Sequence, residues 1–191
     1  MNVKDAILSR RSIGRVKPDA VDPKLIEELL EAAVWAPNHR NTEPWRFIVM
    51  TGEGRKVLGR AYGDIAAEEA DDKLSEEELQ LLYSKQELKA LRAPVVIAVA
   101  MCHTPGLVVP WIEEIAAVHA AIQNMLLTAH ALGLGAIWRT GDPTYHPKMK
   151  AAFGFQGEEE LAGFIYVGHP EVPAGQGKRS EFQQKTVWLT E

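Results

Sequence analysis

Six apolar residues in a row, Val95-Val96-Ile97-Ala98-Val99-Ala100, stand directly behind Pro94 with no polar residue among them. A half-solvated strand alternates in polarity, so a β-branched run without alternation needs cover on both faces. It is read as the centre of a sheet with helices packed on either side. The longest helical pattern, about Ile112 to Leu132, is apolar nearly all round and is closed by Gly133 and Gly135. His119, Gln123, Asn124 and His130 make it too polar for a membrane span. What remains is a buried helix with faces to spare for a second subunit.

The other elements are marked by local signals. A first helix starts at Asn2, with Asp5 three residues on, and runs through Ile7 and Leu8 to Arg10-Arg11-Ser12. A second opens at Asp22 with Pro23 in its first turn, and Ile26, Leu29, Leu30 and Ala33 fall on one face before Pro37 ends it. Phe47 to Met50 reads as a short buried strand, and Thr51 to Gly54 as a turn into a helical stretch holding Val57, Leu58, Ala61 and Tyr62. Residues 68–92 form a charged, exposed helical excursion, opened by Ser75 and Glu78 as a capping box. A loop through Pro105-Gly106 and Pro110 leads into the long helix. Ala136-Ile137-Trp138 is a brief strand, Pro147 to Phe153 a short helix closed at Gly154, and Leu161 to Val167 the last clear strand. Val187-Trp188-Leu189 is read as an edge strand or as a segment that docks on a partner. At 191 residues, without repeats, the chain (1–191) is expected to be one domain.

Composition removes several function classes. A formal net charge of -5 argues against nucleic-acid binding, whose affinity comes from neutralising phosphates. The single cysteine, Cys102, allows no intrachain disulfide or multi-cysteine metal site, and it reads as a small inert hydrophobe rather than a nucleophile. Asp5 and Arg10-Arg11 interrupt the only N-terminal stretch that resembles a signal peptide. The expectation is a cytoplasmic protein without membrane, nucleic-acid or metal partners. His119 and His130 lie three helical turns apart, too far to share one metal.

Three segments carry candidate chemistry. Ala36-Pro37-Asn38-His39-Arg40-Asn41-Thr42-Glu43-Pro44-Trp45 concentrates hydrogen-bonding side chains between two prolines that restrict the backbone. Arg10-Arg11-Ser12 sits at a helix end, and Trp138-Arg139-Thr140 where a strand leaves the Gly-rich end of the long helix. A flavin mononucleotide needs cations for its phosphate, polar partners for ribityl and pyrimidine, and planar or apolar groups against its ring. Each segment also has a plainer reading: arginines that complement a helix dipole, an exposed Asx-type turn, and a surface arginine at a strand end.

In this order and spacing the motifs resemble the nitroreductase family of flavin-dependent oxidoreductases, in its compact subgroup. The resemblance rests on Arg10-Arg11-Ser12, Ala36-Pro37-Asn38-His39 with Pro44-Trp45, Ala93-Pro94, and Gly135-Ala136-Ile137-Trp138-Arg139-Thr140-Gly141. It implies an α+β, nitroreductase-like fold with a central mixed sheet flanked by helices, assembled as an intertwined homodimer with flavin sites at the interface. Arg10, Arg11, Ser12, Trp138, Arg139 and Thr140 would bind FMN from one subunit and Trp35 and His39 from the other, with Asn41 a further cofactor-binding candidate. The segment Thr128 to Gly133 would face a nicotinamide nucleotide. The chain departs from the family pattern at Trp35, where arginine occurs in the subgroup, and at Glu43, where larger relatives have glutamine.

The implied activity is hydride transfer from NADH or NADPH, through flavin N5, to a small electron-poor acceptor such as a nitroaromatic or a quinone, by a ping-pong mechanism. No side chain is expected to act as catalytic acid or base, with Arg10 or Arg139 as an electrostatic stabiliser of the reduced ring. A non-catalytic FMN carrier or sensor and a flavin-free dimeric scaffold are the alternatives.

Overall fold

The structure is a computed structural model that describes residues 1–70, 74–103, 106 and 108–190. Helix starts follow the local signals. The Asn2 side chain caps α1 (Val3–Ser9) by accepting from the Asp5 N–H at 2.9 Å, and Asp22 caps α2 (Pro23–Val34) by accepting from the Lys24 N–H at 3.0 Å. Each satisfies a donor that a helix start leaves unpaired. At α4 (Glu76–Ala90) the Glu78 N–H donates to the Ser75 hydroxyl and the Ser75 N–H to the Glu78 carboxylate, a complete capping box.

Four strands, β1 (Trp45–Thr51), β2 (Val95–Met101), β3 (Gly135–Arg139) and β4 (Glu160–Gly168), form one sheet in the order β1-β2-β4-β3. Every neighbouring pair is antiparallel, which corrects the expected mixed sheet. The connections explain this. Helices α3 (Lys56–Glu68) and α4 form a hairpin that returns the chain to the sheet end it left, so Thr51 pairs with Val95. A single helix, α5 (Trp111–Ala131), joins β2 to β3, the crossover that makes two strands run the same way. β4 then enters between them from the opposite direction, and no parallel pair forms.

β2 is buried along its whole length, as its composition requires. Val95, Ile97, Val99 and Met101 face a core built with α2 and α5, while Val96, Ala98 and Ala100 face a second core with α3 and α7 (Pro147–Ala152). The segment expected as a buried strand, Phe47 to Met50, belongs instead to an edge strand, and Val49 is 39% exposed. A short helix, α6 (Asp142–Tyr145), precedes α7 and was not anticipated. Among the described residues no helix is long and apolar enough to cross a membrane.

The charged excursion is more than a solvated appendage. α4 packs against α3 with Gln86 and Ala90 buried, and two glycines on α3 allow the approach. A Cβ at Gly59 would lie 2.8 Å from the Glu87 Cα, and one at Gly63 would overlap the Tyr83 ring. Asp71 to Lys73 of this stretch, and Pro105 of the loop after β2, lie outside the described residues.

Gly59→Val forces α4 away from α3, because the obstructing atom is backbone and has no rotamer to change. Overpacking of this kind costs roughly 1–3 kcal/mol. Urea unfolding monitored by circular dichroism is expected to show a lowered midpoint, and an unchanged midpoint contradicts the tight α3–α4 contact.

Candidate functional site

The turn after α1 is built from its end. Arg10 terminates the helix, and the Arg11 guanidinium folds back to donate to the Leu8 carbonyl at 2.8 Å and the Arg10 carbonyl at 2.7 Å. This is the plain dipole-complementing role of a helix-end arginine. Arg11 Nε nevertheless remains buried without a hydrogen-bond partner. The tail crosses above it, since a Cβ at Gly177 would overlap the Arg11 guanidinium. Burial, then the charges of Arg11 and Arg179, push the Arg10 guanidinium below its ordinary pKa. Among the described residues none of these three arginines has a carboxylate partner. A cluster of unneutralised cations with an orphan donor fits an anion. Arg179 was missed because only the fold brings the Lys178-Arg179 pair to this turn.

From Ile13 the chain runs across the ends of β3 and β4. The Ile13 N–H donates to the Ala136 carbonyl at 2.9 Å, Lys17 N–H to His169, and Val16 bridges to Pro170. This path brings Arg10-Arg11-Ser12 toward Trp138-Arg139-Thr140. A Cβ at Gly14 would lie 3.3 Å from the Arg139 guanidinium.

Trp138 is placed by a defect in the sheet. The β2–β4 register shifts between Val99 and Ala100, where Gly163 pairs with Val99 and Leu161 with Ala100. The skipped residue, Ala162, turns its carbonyl to accept the Trp138 indole N–H at 3.0 Å. Gly163 has φ +144°, and a Cβ there would overlap the indole, so only glycine serves. Trp138 therefore packs into the α5 core with its ring 5.3 Å from that of His119. Arg139, the next residue, projects to the other face, over the Tyr166 ring at 5.3 Å. Thr140 is exposed just beyond the strand.

The loop from 36 to 45 holds three non-glycine residues at positive φ: Arg40 (53°), Asn41 (53°) and Glu43 (46°). Such backbone costs energy and persists only where the surroundings over-determine it. Asn38 accepts from the Glu43 N–H at 3.0 Å and donates to the Ala36 carbonyl at 3.3 Å, and Pro44 accepts from the Cys102 N–H at 2.7 Å. Trp45 packs against the α5 core. His39 pairs with Glu113 on the first turn of α5, whereas Trp35 is 85% exposed and Asn41 is exposed.

The arginine turn belongs to the opposite end of α5, where the Ser9 hydroxyl meets His130 at 2.7 Å. Glu113 and His130 are separated by about 25 Å of helix at 1.5 Å per residue. The chain thus brings Gly14, two residues beyond Ser12, against the Arg139 guanidinium, while His39 is tied to the far end of α5 and Trp35 and Asn41 lie on the chain that flanks it. The segment Thr128 to Gly133 closes α5. Its backbone is committed to the helix end: Leu132 N–H donates to Thr128, Gly133 N–H to His130 and Leu134 N–H to Ala129.

The antiparallel sheet, the arginine turn after α1 and the strained loop on α5 define a helix-flanked α+β class. Residues 7–169 match the model of the nitroreductase family, and the chain belongs to that family. YdjA of Escherichia coli K12, named as an NAD(P)H nitroreductase, is 33% identical over 177 residues, covering 91% of each chain. A nitroreductase-like family protein from Bacillus cereus superposes with a TM-score of 0.85 at 29% identity, covering 100% of this chain and 97% of that one. A nitroreductase from Desulfovibrio desulfuricans, solved in complex with FMN, gives a TM-score of 0.74 at 27% identity, with 100% and 98% covered.

Cys102 lies beside this loop but is a poor nucleophile. Burial first, and the neighbouring Glu159 second, push its thiol up to about 12. At pH 8 this leaves about a thousandfold less thiolate than an ordinary thiol has. An aromatic disulfide reagent at pH 8 is expected to label native Cys102 slower by that order than the urea-unfolded chain, and similar rates in both states contradict its inert role.

Proposed function

We propose that this protein is an FMN-dependent oxidoreductase that passes hydride from NADH or NADPH to a small electron-poor acceptor such as a nitroaromatic or a quinone. The observation that carries the reading is the arginine cluster Arg10, Arg11 and Arg179, which forms no ion pair among the described residues, in a nitroreductase-family chain. Its charge suits a flavin phosphate, and the relatives named above include one complexed with FMN and one named for NAD(P)H. The flavin supplies the redox centre at N5, used in turn by the nicotinamide and by the acceptor in a ping-pong cycle.

The chain's own residues bind and orient. Arg10, Arg11 and Ser12 hold the phosphate end, while Trp138, Arg139 and Thr140 border the ring. Arg139 is preferred to Arg10 as the group that favours negative charge on the pyrimidine edge, because its guanidinium lies against Gly14 and opens on a cavity while forming no ion pair among the described residues. Trp35, His39 and Asn41 of the partner subunit complete the site in a homodimer. The separation of the two ends along α5 supports this, since one chain leaves each half unfinished. Exposed apolar groups support it as well: Trp35 and Ile112 at one end, and Val187, Trp188 and Leu189 in a tail that belongs to no strand. The outer edge of β1 is also unpaired in the single chain.

Subunit mixing tests the shared site. Arg10→Glu in one chain and Trp35→Ala with His39→Ala in the other are each expected to empty their homodimers of FMN. A heterodimer purified through two different tags then keeps one intact site, with about half the wild-type FMN content and NAD(P)H oxidation, as the statistics of two shared sites require. A heterodimer that stays empty places both halves within one chain and contradicts the reading.

A further inference from the structure

Arg139 is held in an unusual way for an arginine so little exposed to partners of opposite charge. Its Nε is buried with no hydrogen-bond partner, and among the described residues no carboxylate pairs with it. Its guanidinium instead lies over the face of Tyr166, 5.3 Å from the ring centroid. Tyr166 is 3% exposed, near the C-terminal end of β4, in the same core as Tyr62 of α3. Burial above all, then Tyr62, pushes the Tyr166 hydroxyl above the usual phenol range, so it is neutral and takes no charge from Arg139. An aromatic face attracts a cation without cancelling it.

Arg139 opens on a cavity of about 510 Å³ lined also by Gly14, Arg15, Val16, Arg92 and Glu171. Arg15 and Glu171 pair at 3.6 Å and neutralise each other. Arg92, which directly follows α4, has no ion pair among the described residues. The cavity therefore carries two guanidiniums, Arg92 and Arg139, that form no ion pair among the described residues, and one of them rests on an aromatic face. Both Tyr62 and Arg92 come from the α3–α4 hairpin, whose close packing through Gly59 and Gly63 sets where they stand.

We propose that Tyr166 is a positioning residue that directs the Arg139 guanidinium into this cavity, with Tyr62 packed in the core around Tyr166 and Arg92 supplying a second cation to the same place. The ligand class is a planar ring whose edge gains negative charge, here the pyrimidine side of a flavin on reduction. The inference rests on the FMN reading above. It gives the charged excursion a task, namely to tune the preference of the site for the reduced cofactor.

Potentiometric titration of the FMN-loaded protein tests this without recourse to turnover. Arg139→Gln is expected to weaken the preference for reduced over oxidised flavin about tenfold, equal to a fall of about 30 mV for a two-electron couple. Tyr166→Leu removes the aromatic face and is expected to reproduce most of that fall, and to add nothing when combined with Arg139→Gln. Tyr166→Phe keeps the face and stays within about threefold of wild type. Arg92→Gln, at an exposed position that tolerates substitution, is expected to lower the preference about threefold. If Arg139→Gln shifts the potential while Tyr166→Leu and Arg92→Gln leave it unchanged, the positioning role and the second cation are overturned and the FMN reading stands. If the wild-type protein takes up no flavin, the FMN reading falls and this inference with it.

Discussion

One helix decides where the rest of the chain can act. α5 touches all four strands, packs α2 along one side and takes α1 at its far end, so it spans the sheet as a rigid strut of about 30 Å. Its inward face is Ile115, Val118, Ile122, Met125 and Ala129, with the buried Glu114 paired to His103 at its start and Gly133 at φ +77° at its end. The cost of that rigidity is separation. His39 is tied to the first turn through Glu113 and Ser9 to the last through His130, and no loop movement compatible with a packed α5 brings the two ends together. A second copy of the chain, lying across the exposed side of the helix, is the economical way to join them. On the proposed reading, dimerisation is part of building the site.

The sheet supplies the other constraint. β4 runs antiparallel between two strands that α5 makes parallel to each other, and its one irregularity, at Ala162 and Gly163, is where Trp138 docks. Trp138 and Arg139 are consecutive, so pinning the indole on the α5 side sends the guanidinium to the opposite side, over Tyr166 and toward Gly14. The bulge thus sets a cation's direction by fixing its neighbour. Charge is handled in the same spirit at the arginine turn: Arg11 is partly spent on helix carbonyls, and Arg10 and Arg179 stand close together with no ion pair among the described residues.

Much of this was legible in the sequence where a local rule sufficed. Asp22-Pro23, Ser75 with Glu78, and Gly133 mark helix ends because capping and left-handed backbone are short-range physics, and Val95 to Ala100 declares a central strand because nothing in it tolerates water. The order of motifs pointed to the family and to the segments proposed to carry the site. What stayed hidden depends on contacts far apart in sequence. An antiparallel sheet rather than a mixed one follows from where β4 inserts, and Phe47 to Met50 reads as buried although it lies at an edge. Gly163 looks like any glycine in a strand until its partner register is known. Arg179 and Arg92 lie in stretches whose composition says only that they are polar, and Tyr166 sits in an apolar run with no sign of the guanidinium above it.

The central claim is that the cluster of uncompensated arginines exists to hold a reducible flavin. The most direct test is the visible absorption spectrum of the purified protein, recorded anaerobically before and after addition of NADH or NADPH. The account predicts the bands of bound oxidised flavin, bleached by at least one of the two nucleotides. A colourless protein that fails to take up added FMN would contradict it, and a bound flavin that neither nucleotide bleaches would leave the site intact but refute its role as an NAD(P)H-dependent reductase.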